Sequence, residues 1–351
     1  MDNLSEHSLE TLRAQLVAQG HKPSHAGPLL RSHYGARASA RSNDRLFPPA
    51  LARRLEVEAD RRAAAVATRQ VASDGTTKLL LRLGDGRTVE SVLMPGYRAD
   101  RAAGCISSQV GCAMGCDFCA TTKTGFERNL TSGEIVDQFL ALRGEAAAAG
   151  RRLQTVVFMG MGEPMLNLDN VCAAIDRMAR NELGSLGFRQ VTVSTVGIVP
   201  GIDALAASGL NVHLAVSLHA PDDATRATLL PMGRRFGVRD ILAAADRYQE
   251  ATGRPVSIQY CLLDGVNDSA GHAAALAGLL EARRMHVNVL RYNPTGLSLM
   301  GRRYAPSSEE ATDAFVGILK AQGVVAHVRR VRGPDIDAAC GQLRRRSLAI
   351  K

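Results

Sequence analysis

Cys112, Cys116 and Cys119 are spaced C-x3-C-x2-C, and Cys105 lies seven residues upstream in Cys-Ile-Ser-Ser-Gln-Val-Gly-Cys-Ala-Met-Gly-Cys-Asp-Phe-Cys. Three thiolates this close can wrap one compact inorganic centre, and Gly111 and Gly115 tolerate the backbone angles that turn successive sulfurs inward. A structural zinc site would need a fourth ligand nearby, commonly from a second C-x2-C or C/H pair. The chain has one C-x2-C and no partner pair. Three cysteines on an iron–sulfur cubane instead leave one iron open to bind a substrate or cofactor. A zinc knuckle and buried inert thiols are the competing readings.

Other polar residues fall where apolar, strand-like runs end. Met159-Gly160-Met161-Gly162-Glu163-Pro164 closes one run. Its glycines would suit a dinucleotide fingerprint, but position 165 is Met, and that third position must be small. Glu163 with its backbone can instead meet an ammonium group. Ser194, the Ser217-Leu218-His219 triplet and Asn293 close three later runs; such groups suit a ribose and an adenine. Singly, each is more often a turn former. Cys340 stands in a polar, hinge-like stretch, Asp335-Ile-Asp-Ala-Ala-Cys-Gly-Gln-Leu. With Cys105 left over once three sulfurs are assigned, the two suggest a redox pair. Cys172 and Cys261, within a helical and an apolar strand-like stretch, read as small buried hydrophobes.

The elements that must position these residues alternate. Strand-like runs at 155–159, 191–194, 212–218, 256–263, 287–290 and 324–328 are interleaved with helical patterns at 132–142, 168–179, 201–207, 239–252, 270–283 and 308–322. Repeated βα units imply a parallel sheet, either doubly wound or a barrel, with chemistry at the strand ends. Upstream, Leu9, Leu12, Leu16 and Val17 predict a helix, and a second is expected from Pro49 to Ala67. Two strands at 78–83 and 88–94 flank Gly84-Asp85-Gly86, a hairpin signal. This predicts three parts: an N-terminal accessory domain (1–98), a core (99–322) and a C-terminal segment (323–351).

The 351 residues carry a formal net charge of +9, which favours an anionic partner, nucleic acid foremost. From Gly323 to Lys351, seven basic residues face two acidic ones. Arg31, Arg37, Arg41 and Arg45 form a second basic stretch among Gly, Ser and Pro. The acidic first residues predict no secretory leader, no apolar run approaches the ~20 residues of a membrane helix, and seven cysteines, four within fifteen residues, do not make a secreted disulfide framework. A reducing cytoplasm is the expected home.

From about Glu90 to Leu343 the sequence closely resembles the radical S-adenosylmethionine (SAM) RNA adenine methyltransferases, the RlmN/Cfr family. The matching stretches are the cysteine motif with Cys105-Ile-Ser-Ser-Gln, Gly125-Phe-Glu-Arg-Asn-Leu-Thr, Met159-Gly-Met-Gly-Glu-Pro, Ser217-Leu-His-Ala-Pro, Asp264-Gly-Val-Asn-Asp and Asp335-Ile-Asp-Ala-Ala-Cys-Gly-Gln-Leu. The resemblance implies a partial (β/α) barrel of the radical SAM type. It implies a [4Fe–4S] cluster on Cys112, Cys116 and Cys119, and SAM bound by Gly162, Glu163, Ser194, Ser217, Leu218, His219 and Asn293. It further implies that Cys340 is methylated from one SAM and that a second SAM, reductively cleaved, activates that methyl group for addition to adenine. Cys105 then resolves the covalent RNA adduct through a transient disulfide with Cys340, and Glu90 is the general base. The implied product is an adenosine methylated at carbon 2 in the peptidyl-transferase region of 23S ribosomal RNA, with transfer RNA as a further substrate. An external electron donor is required. Methylation at carbon 8 or of another RNA adenosine is the alternative within the family; a non-catalytic RNA-binding protein with a structural metal site is the alternative outside it. Thr122, where many members have Gly, and Arg291-Tyr292, where Pro-Phe is usual, are departures that touch substrate contacts.

Overall fold

In the computed structural model, which describes residues 3–35, 47–49, 51–52 and 64–343, the polar strand ends lie along one edge of a single sheet. The strands are β1 (Ala64–Val71), β2 (Thr77–Leu83), β3 (Thr88–Pro95), β4 (Arg101–Cys105), β5 (Gln109–Gly111), β6 (Phe126–Asn129), β7 (Arg152–Phe158), β8 (Val191–Thr195), β9 (His213–Ser217), β10 (Val256–Leu262), β11 (Met285–Arg291) and β12 (Ala326–Val328). Ten of them form one open sheet in the order β1-β2-β3-β4-β7-β8-β9-β10-β11-β12, and β5 pairs with β6 apart from it. Pairing is antiparallel from β1 to β4 and parallel from β4 to β12. Spatial order follows chain order without reversal. A doubly wound sheet reverses at a switch point, so this sheet winds in one sense, as a barrel does, and stops short of closing.

The parallel strands are apolar because helices cover them. Val156, Val193, Leu214, Val216, Ile258, Val287 and Val289 are fully buried. The covering helices are Ser132–Ala148, Leu168–Ala179, Val199–Ala207, Asp223–Leu229, Val238–Thr252, Ala270–Leu280 and Glu309–Ala321. Several begin on the cap their sequence offers. Thr131 accepts from Glu134 N and Glu134 reaches back to Thr131 N, a capping box that contributes ~1 kcal/mol. Ser269 and Ser308 cap the last two helices by a single bond each, accepting from His272 N and Ala311 N.

The N-terminal helix Leu9–Ala18 forms as its spacing predicts, with Leu12 and Leu16 fully buried. The short turn Leu4–Glu6 before it docks on the helices Ser132–Ala148 and Leu168–Ala179: Asn3 Nδ2 donates to Asp137 Oδ2 at 2.9 Å and Gly133 N to Glu6 Oε2 at 3.0 Å on the first, and Arg177 of the second donates to Ser5 O at 2.7 Å. The expected helix from Pro49 to Ala67 is corrected at its end, where Ala64 already opens β1. Alanine has no strong strand preference of its own; pairing with β2, from Ala64 opposite Leu83 onward, decides its conformation. The rest of that expected helix, apart from 49 and 51–52, and Arg37, Arg41 and Arg45 lie outside the described residues. The hairpin at Gly84-Asp85-Gly86 forms, and β3 bonds to β4, so the sheet runs on without a break across residue 98.

Past β12 the chain turns back as a strap, residues 329–343, across the carboxyl ends of the strands. Ser73 N donates to Asp335 Oδ2 at 2.9 Å near the middle of the strap. Toward its end, Ala120 N donates to Gly341 O at 2.7 Å and Thr121 Oγ1 to Leu343 O at 2.7 Å.

Candidate active site

A cavity of about 1020 Å³, counting its open mouth, lies at the carboxyl ends of β7 to β11. Cys112, Cys116 and Cys119 line it, carried on the loop between β5 and β6. That loop is wound tightly. Gly111 has φ +78°, and a Cβ there would lie 1.8 Å from Gly125 O. Cys112 N donates to Gly125 O, and Thr122 Oγ1 lies 3.1 Å from Cys116 O and 2.9 Å from Cys119 O. The threonine that departs from the family pattern therefore ties the two cysteine carbonyls together. Asp117 anchors the loop outward, accepting from Met300 N at 2.9 Å and from the Tyr304 hydroxyl at 2.6 Å.

The donor set fits a multi-iron cluster. Among the described residues, no three Cys, His, Asp or Glu side chains converge as ligands of a single ion. Three sulfurs spread around one cavity suit a cluster, where each takes a different iron. Burial pushes the Cys112 thiol up to about 12 and raises Cys116 well above the ordinary thiol value, with the neighbouring thiols adding to it. A bound cation would reverse both, since metal-bound thiols are deprotonated.

Beside the cysteines, the loop after β7 supplies Gly160, Gly162 and Glu163. Gly162 has φ +99°, and a Cβ on it would stand 2.5 Å from Gln109 Cβ, so the close approach of this loop to the β5 strand requires glycine. Glu163 is buried, its carboxylate accepting from Met165 N at 3.1 Å and Val196 N at 2.9 Å. Burial nevertheless outweighs these bonds and raises its pKa to about 7. Ser194 and Ser217, at the ends of β8 and β9, also line the cavity, as do His219 and Asn293. His219 holds a positive φ, and its Nδ1 accepts from Cys261 N at 2.9 Å. That bond leaves the ring proton on Nε2, and burial lowers the pKa to about 3, so the imidazole is neutral. Leu218 stands apart: it is fully buried, does not line the cavity, and contributes backbone, donating to Gln259 O and accepting from Arg226.

Cys340 also lines this cavity, its carbonyl accepting from Asn293 Nδ2 at 3.2 Å. It lines a second cavity as well, about 740 Å³, together with Cys105. Solvent reaches the Cys340 side chain, yet the protein crowded around it raises the thiol pKa. Cys105, at the end of β4, is buried; burial and the Cys340 thiol raise its pKa. Both thiols are free. The strap residues Arg329, Arg330 and Arg332 form the basic side of this cavity.

Glu90 lines neither. It is buried on β3, two residues from Val92, which pairs with Cys105. There it faces a third cavity under strap residues 335–337 and pairs with Lys78, 3.2 Å from Nζ to Oε1. The structure thus brings the cluster cysteines, Gly162, Glu163, Ser194, Ser217, His219, Asn293 and Cys340 to one cavity, Cys105 and Cys340 to a second, and leaves Glu90 on the flank. Sequence reading missed Gln259 and Cys261, both on the cavity wall. Their signal was present: Ser257, Gln259 and Cys261 alternate along an otherwise apolar β10, which puts all three on one face. Cys261 is therefore half-exposed to the cavity and not simply core.

Comparison with known proteins agrees with this geometry. The family model described as the Radical SAM superfamily matches residues 106–277. A protein of Opitutus terrae named as dual-specificity RNA methyltransferase RlmN 1 is 66% identical over 342 residues, covering 97% of this chain and 96% of its own. The protein of that RlmN name in Rhodopirellula baltica is 43% identical over 351 residues, covering 100% of this chain and 92% of its own. Among solved structures, a radical SAM methyltransferase from Sphaerobacter thermophilus aligns with a TM-score of 0.91 at 40% identity, covering 97% of this chain and 99% of its own. The chain belongs to the radical SAM RNA methyltransferases of the RlmN family, enzymes that work with a [4Fe–4S] cluster and SAM.

Proposed function

We propose that this enzyme methylates carbon 2 of an adenosine in the peptidyl-transferase region of 23S ribosomal RNA, and an adenosine of transfer RNA as well. The observation that carries the reading is the position of Cys340 on the wall shared by the cysteine-lined cavity and the Cys105 cavity. A methyl-carrying thiol has to meet the cofactors on one side and a resolving thiol on the other. When bound to Cys112, Cys116 and Cys119, the cluster supplies one-electron chemistry that ordinary side chains lack. Adenine carbon 2 is too weak a nucleophile to take a methyl group from SAM directly.

The chain's own residues do the rest. Gly162, Glu163, Ser194, Ser217, His219 and Asn293 hold and orient SAM. Cys340 Sγ loses its proton and accepts the first methyl group. Once that methyl carbon, having lost a hydrogen, is joined to adenine carbon 2, the Cys105 thiolate bonds to the Cys340 sulfur. The carbon–sulfur bond breaks, its electron pair stays with the carbon, which takes up a proton as the product methyl group, and the transient disulfide is left. Glu90, paired with Lys78 beneath strap residues 335–337, accepts the ring proton once that part of the strap has moved aside to bring the base to it. The target base leaves its stack to reach the site. RNA meets the 1–98 unit and the basic strap, residues 99–322 hold the cofactors, and 323–351 deliver Cys340. A low-potential donor outside the chain supplies electrons, and the reaction takes place in the cytoplasm; no helix among the described residues is long and apolar enough to cross a membrane. The RlmN name shared by the relatives, with its dual specificity, supports carbon 2 and two RNA classes over carbon 8.

The test is mass spectrometry of adenosines from ribosomal and transfer RNA incubated with and without the loaded enzyme. Enzyme-dependent 2-methyladenosine in both is expected. Methylation at carbon 8, or none with an intact cluster, overturns the reading.

A further inference from the structure

Arg226 is the largest fully buried side chain among the described residues, and its surroundings lack the anion such a charge needs. It lies on the helix Asp223–Leu229, and its guanidinium donates to three backbone carbonyls: Leu218 O at 3.2 Å, Phe236 O at 3.4 Å and Val196 O. It makes no ion pair with any described carboxylate. Asp223, which couples to it electrostatically, is solvent-exposed and occupied in accepting from Val238 N. Carbonyl oxygens solvate a guanidinium but do not neutralise it, and a buried charge left uncompensated costs several kcal/mol. Burial weakens the charged form, lowering the pKa to about 10, so the side chain still carries its charge at neutral pH.

What lies next to it is the cluster loop. Asp117 N donates to Leu229 O at 2.9 Å, and Gly115 packs against Pro231, so the loop rests on the end of the Arg226 helix. Val196 and Leu218, whose carbonyls Arg226 holds, sit at the strand ends beneath the cavity. Its charge couples to Cys116 and to His219.

We infer that Arg226 is the built-in counter-charge of the cluster, holding its reduction potential up. This rests on the assignment of Cys112, Cys116 and Cys119 as ligands. A cluster on three thiolates is anionic and becomes more so on taking up an electron. A fixed positive charge in a low-dielectric surround favours the reduced form. The three carbonyls aim the guanidinium and keep it in place through turnover. Arg226 touches no substrate; it acts through the cluster.

The experiment is a redox titration of the reconstituted enzyme with dithionite as electron donor, followed by electron paramagnetic resonance, for wild type, Arg226→Gln and Arg226→Lys. At a fixed potential, Arg226→Gln is expected to show at least a tenfold lower ratio of reduced to oxidised cluster, a midpoint lower by about 59 mV for one electron. Arg226→Lys keeps the charge and stays near wild type at pH 7. An unchanged midpoint in Arg226→Gln, or equal falls in both variants, overturns the inference. Should Arg226→Gln not fold, the lysine variant decides alone. Its midpoint falls relative to wild type as pH rises and the buried lysine loses its proton, and a constant difference sinks the idea. Wild type that binds no cluster on these cysteines would instead refute the ligand assignment, a separate result.

Discussion

The two cavities that share Cys340 are built by opposite means. The cluster cavity takes its three sulfurs from one eight-residue loop, fixed by local bonds such as Thr122 to the Cys116 and Cys119 carbonyls. The second cavity takes its two sulfurs from a strand end and from a strap some 235 residues later, and depends on long-range contacts: Ser73 to Asp335, Ala120 to Gly341, Gln342 to Pro294. A loop with that many short-range constraints arrives preassembled. The strap is held by single hydrogen bonds spread along its length, from Gly333 to Leu343, and each contributes only ~1 kcal/mol, so a part of it can lift between steps. The proposed chemistry needs this division: a rigid place for the cofactors and a thiol that visits two partners.

The largest effect breaks the rigid side. Cys112→Ala, Cys116→Ala and Cys119→Ala each remove one iron ligand and should abolish both bound iron and methylation, read as iron and sulfide content and methylated adenosine. Cys172→Ala should keep both. Cys261→Ala sharpens the comparison because this thiol lines the same cavity; it should keep its iron, and a folded Cys261 variant without iron would redraw the ligand set.

The mobile side breaks differently. Cys340→Ala should leave RNA unmodified and unlinked, with a normal cluster. Cys105→Ala lacks the second sulfur that frees the product. It should trap a covalent protein–RNA adduct, seen as a nuclease-sensitive shift on a denaturing gel. The double variant should show none, and an adduct from Cys340→Ala would reverse the two roles.

This contrast also explains what was legible in the sequence. The cysteine loop, the alternating elements and the polar strand ends are local patterns, and β7 to β12 with their helices fall close to where periodicity puts them. Three things were not legible. β4 holds two alanines and a glycine in five residues, a composition with little strand signal; its place comes from pairing with Val92 and Val157 on either side. β1 was hidden by alanines in the same way. Arg226 and its helix Asp223–Leu229 drew no reading at all, because the burial of this side chain is decided by Val196, Leu218 and Phe236, which local patterns do not bring together.

A smaller effect tests where RNA approaches. Arg329 and Arg330 are exposed on the strap side of the second cavity. If they meet phosphates, Arg329→Gln with Arg330→Gln should weaken RNA binding and lower the slope of log affinity against log salt by ~0.7 per contact on single-stranded RNA. The site modified should not change. An unaltered slope would move the RNA off the strap. The companion change, neutralising Arg344, Arg345 and Arg346 beyond the described residues, asks the same of the tail and should lower the slope in proportion.

The smallest effect concerns stability and comes from the rigid side. Glu163 is buried with its pKa raised to about 7, burial being the main cause. In the protein without cofactors, the unfolded chain releases this proton near the usual carboxylate value while the folded chain keeps it. Stability should therefore fall as pH rises from about 4.5 to about 7 and level off above, because the folded state must then ionise a carboxyl with little water around it. Each tenfold difference in proton affinity between the folded and unfolded chain is worth at most ~1.4 kcal/mol, and relaxation around the carboxylate will reduce it. Glu163→Gln cannot ionise and should lose this slope, even if its amide fits the Met165 and Val196 donors less well and lowers stability at every pH. Adding SAM to the wild-type apoprotein should flatten the slope too, since an ammonium beside the carboxylate favours its charged form. Urea melts of both proteins at pH 5, 6, 7 and 8, with and without SAM, separate the cases. Equal slopes in wild type and Glu163→Gln would mean that this carboxyl is already ionised in the empty cavity and that the cavity holds more water than its burial implies.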